Sequence, residues 1–545
     1  MNKRKIYGTA LSVVIAFTAG CSGNGETAQS TDNKSNSTVM ITTARPLGGD
    51  TKFINGEDIN NNIHNTWAKK TLGIEFKDLW NSADQTAYQT KLRLSLATQD
   101  KLPDVFIVQD TNLVADLIQS GKVKDIQKDL DTYASDRLKK LYTDNSSVLN
   151  QVKSDGKLMG LPILSAGDST NPVLWVRQDW LDKLKLQAPT TIKEFEQVMD
   201  AFTKQDPDGN GKNDTIGFSF AARNGFSNWM SDSSFIFGAY TGKLIPGTWQ
   251  LDKDGIMKYG SVQPGIKDGL GKLREWFAKG YLDPEVGAID EMKATESFVQ
   301  GKSGMIVAPY WANGWPLGDV KKSAPNALVR AYTLPTGEGG KTARYTGSLN
   351  EDRVMMFSKD FKNMDKFFLY MDKIYDNQFG TGEFKDGYFE GYDYAMVDGK
   401  PIYDPKKFPK PHDDVIDPVK YSMFWNTPKI PFKESKDFDY VYNGGQPETN
   451  AQKVIASGDK EAIRAGALNF KMKASNAPNE FLGAPTKTMR SNQDSLKTME
   501  LMTFIKIIYG EEPLDKFDTF VADWKSKGGD QIQKEVNDWY SSVKK

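Results

Sequence analysis

Apolar positions along the chain recur with two periods, one suited to strands and one to helices. Folded structure is predicted to begin at Thr38-Val39-Met40-Ile41-Thr42-Thr43, a β-type run. A helix is predicted around Ile59 to Thr71 and a strand around Ile74 to Leu79. From Tyr88 to Thr98 two patterns compete: Leu92, Leu94 and Leu96 alternate as on a strand, whereas Tyr88, Leu92 and Leu96 share a helical face. Asp104-Val105-Phe106-Ile107-Val108 is an apolar run of the buried-sheet type, and a helix is predicted from Asn112 to Ser120. Strands alternating with helices predict α/β layers around a largely parallel sheet. In such sheets ligands sit beyond the carboxyl ends of strands, which singles out Gln109 and Asp110.

Further on, Ser154-Asp155-Gly156-Lys157 is a turn into a strand from Leu158 to Ile163, and Val173 to Arg177 reads as another strand. Thr191 and Glu194 have capping-box spacing and open a helix that runs to about Lys204. A helix from about Gly265 to Lys279 carries Leu270, Leu273, Trp276 and Phe277 on one face. Proline-rich, irregular chain fills Pro401 to Pro431, and the chain is mostly helical from Ser495 onward. No repeat of solenoid period occurs.

The amino terminus has its own pattern. Met1-Asn2-Lys3-Arg4-Lys5 is basic, and a mostly apolar run follows from Ile6 to Phe17. A bilayer span takes about 20 apolar residues, so this run suits a signal-peptide core. Thr18-Ala19-Gly20-Cys21 sets small residues before the single cysteine. This resembles the bacterial lipobox, in which the thiol receives a diacylglycerol and the peptide is cut before it; Thr18 stands where the lipobox prefers Leu. The expectation is a signal peptide over 1–20 and a lipidated Cys21. A disordered tether over 21–37 would follow, because Ser22 to Ser37 has almost nothing apolar.

Composition narrows the chemistry. At 545 residues the chain exceeds one hydrophobic core. The formal charge is −1, and −4 without the first twenty residues, which hold Lys3, Arg4 and Lys5. Such a balance offers no field for collecting polyanions, so nucleic acid is not an expected partner. With one cysteine and two histidines, His64 and His412, neither a disulfide framework nor a closed Cys/His zinc site is available.

Asp206-Pro207-Asp208-Gly209-Asn210-Gly211-Lys212-Asn213-Asp214 has metal-ligand spacing. Counted from Asp206, oxygen side chains fall at the first, third, fifth and ninth positions of an EF-hand loop. Gly211 stands at the sharp turn, and Lys212 offers its carbonyl. Gly217 replaces the bidentate Glu at the twelfth position, so a remaining ligand must come from Thr215, water or a distant residue. The expectation is a structural Ca²⁺ held by Asp206, Asp208, Asn210, Lys212 and Asp214; the bland alternative is a solvated turn.

A pyranose presents an apolar C–H face and a hydroxyl-rich edge, so its site needs flat aromatics beside polar side chains. Tyr310-Trp311-Ala312-Asn313-Gly314-Trp315 has this mixture and follows the strand-like Met305-Ile306-Val307. Trp229, in the loop from Arg223, is a second platform. Arg353 and Trp425 are weaker candidates, and Arg177, Arg223, Arg344 and Arg353 are the arginines suited to clamping a uronate carboxylate. Trp180, Trp276, Trp524 and Trp539 sit in helical patterns and read as core.

Several phrases together resemble the extracellular solute-binding family that includes maltose-binding protein, above all its large calcium-carrying lipoprotein branch with alginate-oligosaccharide-binding members. They include Leu102-Pro103-Asp104-Val105, Asp155-Gly156-Lys157-Leu158-Met159-Gly160-Leu161-Pro162, Trp175-Val176-Arg177-Gln178-Asp179-Trp180-Leu181, Trp276-Phe277-Ala278-Lys279-Gly280-Tyr281-Leu282-Asp283-Pro284-Glu285 and Phe298-Val299-Gln300-Gly301-Lys302-Ser303-Gly304-Met305. The resemblance implies a two-lobe, type II periplasmic-binding-protein-like α/β fold, hinge-linked, with the ligand cleft between lobes. Residues 38–160 and 307–430 would form lobe 1, and 161–306 and 431–545 lobe 2. It favours helix for Tyr88 to Thr98, and in maltose-binding relatives an aromatic at the place of Trp311 stacks on the ligand.

The function so implied is that of a substrate-binding lipoprotein of an ABC importer. It would be a monomer on the outer face of the cell membrane, held there by its lipid alone. It would pass an oligosaccharide, with uronate-containing chains among the candidates, to the permease subunits. A lipid-anchored glycoside hydrolase and a surface glycan adhesin are the alternatives. No Gly-x-Ser-x-Gly or His-Glu-x-x-His motif supports an enzyme, and Gly339-Gly340-Lys341-Thr342 lacks the first glycine of a phosphate loop, Pro335 standing there.

Overall fold

The computed structural model describes residues 38–48, 51–98, 100–413 and 416–544, with 350–352 as backbone only. The signal peptide, Cys21 and the tether lie outside the described residues. Strand β1 (Val39–Pro46) pairs in parallel with β2 (Ile74–Ser82). The stretch with competing patterns is helix α1 (Gln85–Thr98): Tyr88 and Leu92 are buried while Leu94 is exposed, so the helical face decides. Strand β3 (Val105–Val108) buries all four apolar side chains, as an inner strand does. Helix α2 (Thr111–Gln119) follows, and then β4 (Leu161–Leu164) and β5 (Pro172–Arg177).

Helix α3 (Ile192–Lys204) starts at the expected capping box: the Thr191 hydroxyl accepts from the Glu194 amide at 3.2 Å, and the Glu194 carboxylate accepts from the Thr191 amide at 3.1 Å. After β6 (Ile216–Ser219) come α4 (Pro264–Ala278), α5 (Glu291–Val299), β7 (Ser303–Pro309), β8 (Val329–Tyr332) and β9 (Asn350–Phe357). The last labelled helices are α6 (Lys433–Tyr442), α7 (Lys460–Lys471) and α8 (Lys487–Tyr509).

Two sheets organise the lobes, the first antiparallel and the second mixed. In the first, β9 lies between β3 and β4 and is antiparallel to both. In the second the order is β8–β5–β7–β6, with only β7 and β6 parallel. The largely parallel sheet expected from the strand–helix alternation is therefore corrected. β4 leaves lobe 1 where β9 enters it, so the two must run in opposite directions.

Alternation along β5 and β7 divides the lobe 2 core. Leu174, Val176, Met305 and Val307 pack on one side with α3 and α4, whereas Val173, Trp175, Ile306 and Ala308 pack on the other. The lobe 1 core runs from Ile41 to Leu164 and resumes from Val354 to Phe424. Trp175, Trp180 and Trp276 are fully buried; cutting such a side chain to Ala costs about 3–5 kcal/mol.

These cores move the lobe boundaries. The expected break at 306/307 falls inside β7, whose residues Met305 to Pro309 pair one by one with β5. The chain stays in lobe 2 until Tyr345 and crosses before β9. The earlier break at 160/161 precedes β4, which belongs to the lobe 1 core, so that crossing lies between Leu164 and Pro172.

Polar groups tie the crossings together. Fully buried Arg344 donates to the Pro172 carbonyl at 2.8 Å, to the carbonyl and side-chain oxygens of Asn469 at 2.9 Å, and to Asn476 at 3.0 Å. Burial lowers its pKa to about 9, against the pull of Asp168 and Asp232. Asn171 accepts from the Gly347 amide at 2.9 Å, joining the first two crossings directly.

Candidate functional site

Beyond β7 the chain turns through residues 310–316 and presents a row of indoles. The Trp311 ring lies 6.1 Å from Trp229 at an interplanar angle of 25°, and 6.4 Å from Trp315 at 11°. Trp315 is 54% exposed, and Trp229 and Trp311 are half-buried against the lobe 2 core. The Trp311 indole nitrogen donates to the Ser169 carbonyl at 2.6 Å. Ser169 belongs to the first crossing, so the row stands at the edge where the lobes meet. The near-parallel indoles make an apolar stack whose exposed end is Trp315.

The loop carrying Trp229 is rigidly held. The Asp232 carboxylate accepts from the Asn228 amide at 3.1 Å and from the Ser234 amide and hydroxyl at 3.0 and 2.7 Å. Burial pushes the Asp232 carboxyl up to about 7. The Trp229 indole donates to Glu291 at 3.3 Å, and Asn313 donates to Asp459 at 3.3 Å beside the row.

The other sugar candidates have different surroundings. Tyr310 is only 4% exposed and meets Phe438 edge-on at 5.4 Å, so its ring belongs to the lobe interior. Burial pushes its hydroxyl pKa up. Asp110 is the amino-cap of α2, accepting from Asn112 and Leu113 at 2.8 and 3.1 Å, and it pairs with Arg93. Gln109 is half-buried beside it. Arg353 is buried and donates to the Phe424 carbonyl at 2.7 Å, its pKa lowered by burial to about 10. Trp425 packs edge-on to Tyr88 at 5.0 Å, with its indole nitrogen buried. The row thus gathers Trp229, Trp311 and Trp315, while Asp110, Arg353 and Trp425 are engaged within lobe 1. Arg177, suggested as a clamp, forms a two-bond pair with Asp179 at 2.9 and 2.6 Å.

A cavity of about 510 Å³ is lined in part by the loop that leads to Trp229, and no motif in the sequence marks it. Thr111 of lobe 1 and the 224–227 loop line it together with Tyr345 and Thr346 at the second crossing. Its deeper lining is Trp249, Phe481, Leu496, Trp524 and Glu500. Tyr259 stacks on Trp524 at 5.2 Å and 7° and donates to the Glu500 carboxylate at 2.9 Å; Ser261 donates to it at 2.7 Å. Burial pushes the Glu500 carboxyl up to about 7, against these bonds. Trp524 is buried as its helical pattern indicated, yet it also faces this cavity.

A family model described as bacterial extracellular solute-binding protein matches residues 53–377, more than half of the chain. The chain belongs to this family. Among its relatives, lipoprotein LipO of Bacillus subtilis (strain 168) is 23% identical over 496 residues, covering 87% of this chain and 88% of LipO. The polygalacturonan/rhamnogalacturonan-binding protein YtcQ of the same organism is 24% identical, covering 84% of each chain. A solved structure described as an HMO binding ABC-transporter associated solute binding protein, from Bifidobacterium longum infantis ATCC 15697, matches with a TM-score of 0.64. It is 17% identical and covers 92% of this chain and 98% of its own. The fold is thus the two-lobe α/β fold of solute-binding proteins.

In this family member the acidic loop of lobe 2 curls around Asp206. Its carboxylate accepts from the amides of Gly209 and Asn210 at 3.0 Å and of Gly211 at 3.1 Å. The Asn210 amide group bridges Asp208 and Asp214 at 2.8 and 3.1 Å. Partial burial and the neighbouring Asp206 and Asp214 carboxylates raise the Asp208 pKa. The carboxylate oxygens that accept these bonds are ligands of the kind a hard divalent cation takes. Among the described residues, however, no three acidic, histidine or cysteine side chains converge as a ready ligand set.

The missing twelfth ligand has a steric cause. Gly217 lies in β6, and a Cβ there would stand 2.5 Å from the Met199 Cβ of α3, so no Glu fits. Thr215 is turned inward, its hydroxyl donating to the Phe202 carbonyl at 2.7 Å, which removes it from the loop's donors.

Proposed function

We propose that this solute-binding protein is the substrate-binding lipoprotein of an ABC importer. It captures an oligosaccharide between its lobes and delivers it to a membrane permease, without chemical change to the sugar. The observation that carries this reading is the row Trp229–Trp311–Trp315 beside the first crossing, where an extended chain of rings can lie across indole faces. The names of YtcQ and of the Bifidobacterium protein, which refer to binding of glycans, agree with it. A screen of glycans by thermal shift tests the proposal: a ligand raises the melting temperature by mass action, and chromatography of the sugar afterwards should find it intact. A sugar that is cut on incubation, or a screen without any shift, contradicts it.

Two finer points belong to the same reading. Cys21 carries the lipid that holds the protein at the outer face of the cell membrane, which intact-mass measurement of the purified protein and a Cys21→Ser variant checks. The loop of Asp206, Asp208, Asn210, Lys212 and Asp214 binds a structural Ca²⁺ that replaces the Asn210 amide as the bridge between carboxylates. Lys183 already sets a cation against the Asp206 and Pro207 carbonyls, at 2.9 and 3.2 Å, and so marks the loop as electronegative.

A further inference from the structure

A second cavity, of about 380 Å³, opens at the far end of lobe 2 and lies within the usual size range of ligand pockets, about 300–1,000 Å³. Strand β5 leaves the first crossing at Pro172 and ends at Arg177, which lines this cavity five residue steps, or about 17 Å, further on. The tryptophan row stands at the opposite end of the same sheet, where β7 finishes at Pro309 against Pro172. The cavity is therefore separate from the space between the lobes.

Two side chains of its lining carry buried nitrogens without an acceptor. Arg177 is 3% and Trp180 1% exposed, and neither Arg177 Nη1 nor the Trp180 indole nitrogen has a hydrogen-bond partner. Orphaned donors of this kind are rare in folded chains. The guanidinium is held in place: Asp179 accepts from its Nε and Nη2 at 2.9 and 2.6 Å, and it lies 4.5 Å from the centre of the Trp180 ring. Gly301 leaves the space beside Nη1 open. A Cβ on Gly301 would stand 3.7 Å from Nη1 and 3.9 Å from the Ser323 hydroxyl. That hydroxyl donates to the Val299 and Val320 carbonyls at 2.9 and 3.0 Å, so towards the cavity it accepts.

We propose that this cavity is a binding site for a neutral, monosaccharide-sized polyol, distinct from the interlobe cleft. A hydroxyl beside Gly301 accepts from Arg177 Nη1 and donates to Ser323, a pairing that an ionised carboxylate, which only accepts, does not complete. The charges point the same way. The lining holds one cation, Arg177, and two carboxylates, Asp179 and Asp208. An anion would meet a net negative wall, and a cation would meet the buried guanidinium. Gln300 and Asn326, at exposed positions of the lining, carry amides that both donate and accept, as hydroxyls require. The site stands whatever the tryptophan row binds.

Ligand-detected NMR titration with sorbitol and methyl glucoside tests this, with acetate as the anionic probe. Ca²⁺ is held constant, because Asp208 also belongs to the acidic loop, and the protein carries Trp311→Ala so that the row contributes little. At least one of the two polyols should bind saturably. Ser323→Tyr and Asn326→Tyr, both at exposed positions of the lining, fill the cavity and should each weaken that binding about tenfold or more. A crystal soaked in the same polyol should place a hydroxyl within hydrogen-bond distance of Arg177 Nη1. Water alone in that place, with no saturable binding in solution, overturns the site. So does binding of acetate in preference to both polyols, and so does polyol binding that Ser323→Tyr and Asn326→Tyr leave unchanged.

Discussion

Replacing Trp311 by Ala removes the middle indole of the row, and its effect on binding and on folding can be separated. For folding, the side chain loses a hydrogen bond to Ser169, worth about 0.5–1.5 kcal/mol. It also loses two ring contacts worth about 0.5–1.5 kcal/mol each at good geometry. The centroids stand 6.1 and 6.4 Å apart, towards the far end of the favourable window of about 4.5–7 Å. The lower values apply, and the cost to the half-buried site is about 2 kcal/mol, which a large two-core chain tolerates. For binding, losing a central aromatic anchor costs about 2–4 kcal/mol, or roughly 30- to 1,000-fold in Kd. Titration calorimetry with the best oligosaccharide of the glycan screen reads the second quantity and urea unfolding the first. Trp311→Phe keeps a flat face without the Ser169 bond and should retain most of the affinity. Binding by Trp311→Ala within about twofold of wild type, with the fold intact, would refute the row as the sugar platform.

Other expectations follow from the same groups. Glu500 titrates at about 7 in the fold against 4.5 when free, so the folded state holds a proton between these values that the unfolded chain has lost. Stability is then greatest at the acid end and falls as pH rises from about 4.5 to 7, by on the order of 3 kcal/mol for this group. Asp232, at about 7, adds to the trend. Unfolding midpoints should be higher at pH 5 than at pH 8, with a shallower difference in Glu500→Gln; a flat profile contradicts this. Ca²⁺ at about a hundredfold excess over its Kd should stabilise the protein by about 2.7 kcal/mol. Chelation or Asp206→Ala should abolish that gain, and identical melting with and without chelator would remove the ion from the account. Arg344→Met leaves Asp168 and Asp232 without their shared cation and three chain segments without their donor. A loss of about 3–5 kcal/mol in urea unfolding is expected, and a loss below about 1 kcal/mol would show that the crossings do not depend on it.

Elements with strong local patterns were legible before any coordinates. The Thr191–Glu194 box fixes the start of α3, and four apolar residues in a row place β3 inside a sheet. Where two local readings were equally good, burial decided. Asp110 has the geometry of a cap because α2 begins at Thr111, and its oxygens are taken by two backbone amides. Tyr310 and Trp311 are neighbours in sequence, yet one ring enters the interior and the other the row, a choice made by Phe438 far along the chain. The cavity was invisible for the same reason, since Thr111, Asn224, Tyr345, Asn479 and Glu500 carry no shared spacing. The 306/307 boundary failed because a crossing was placed at an apolar strand, where pairing with β5 forbids a break.

Capture of a sugar between the lobes requires them to close over it. Small-angle scattering of the protein, alone and saturated with its best oligosaccharide, tests that directly. The radius of gyration should contract on saturation, by hinge closure. A radius unchanged under conditions where calorimetry proves the site full would contradict it.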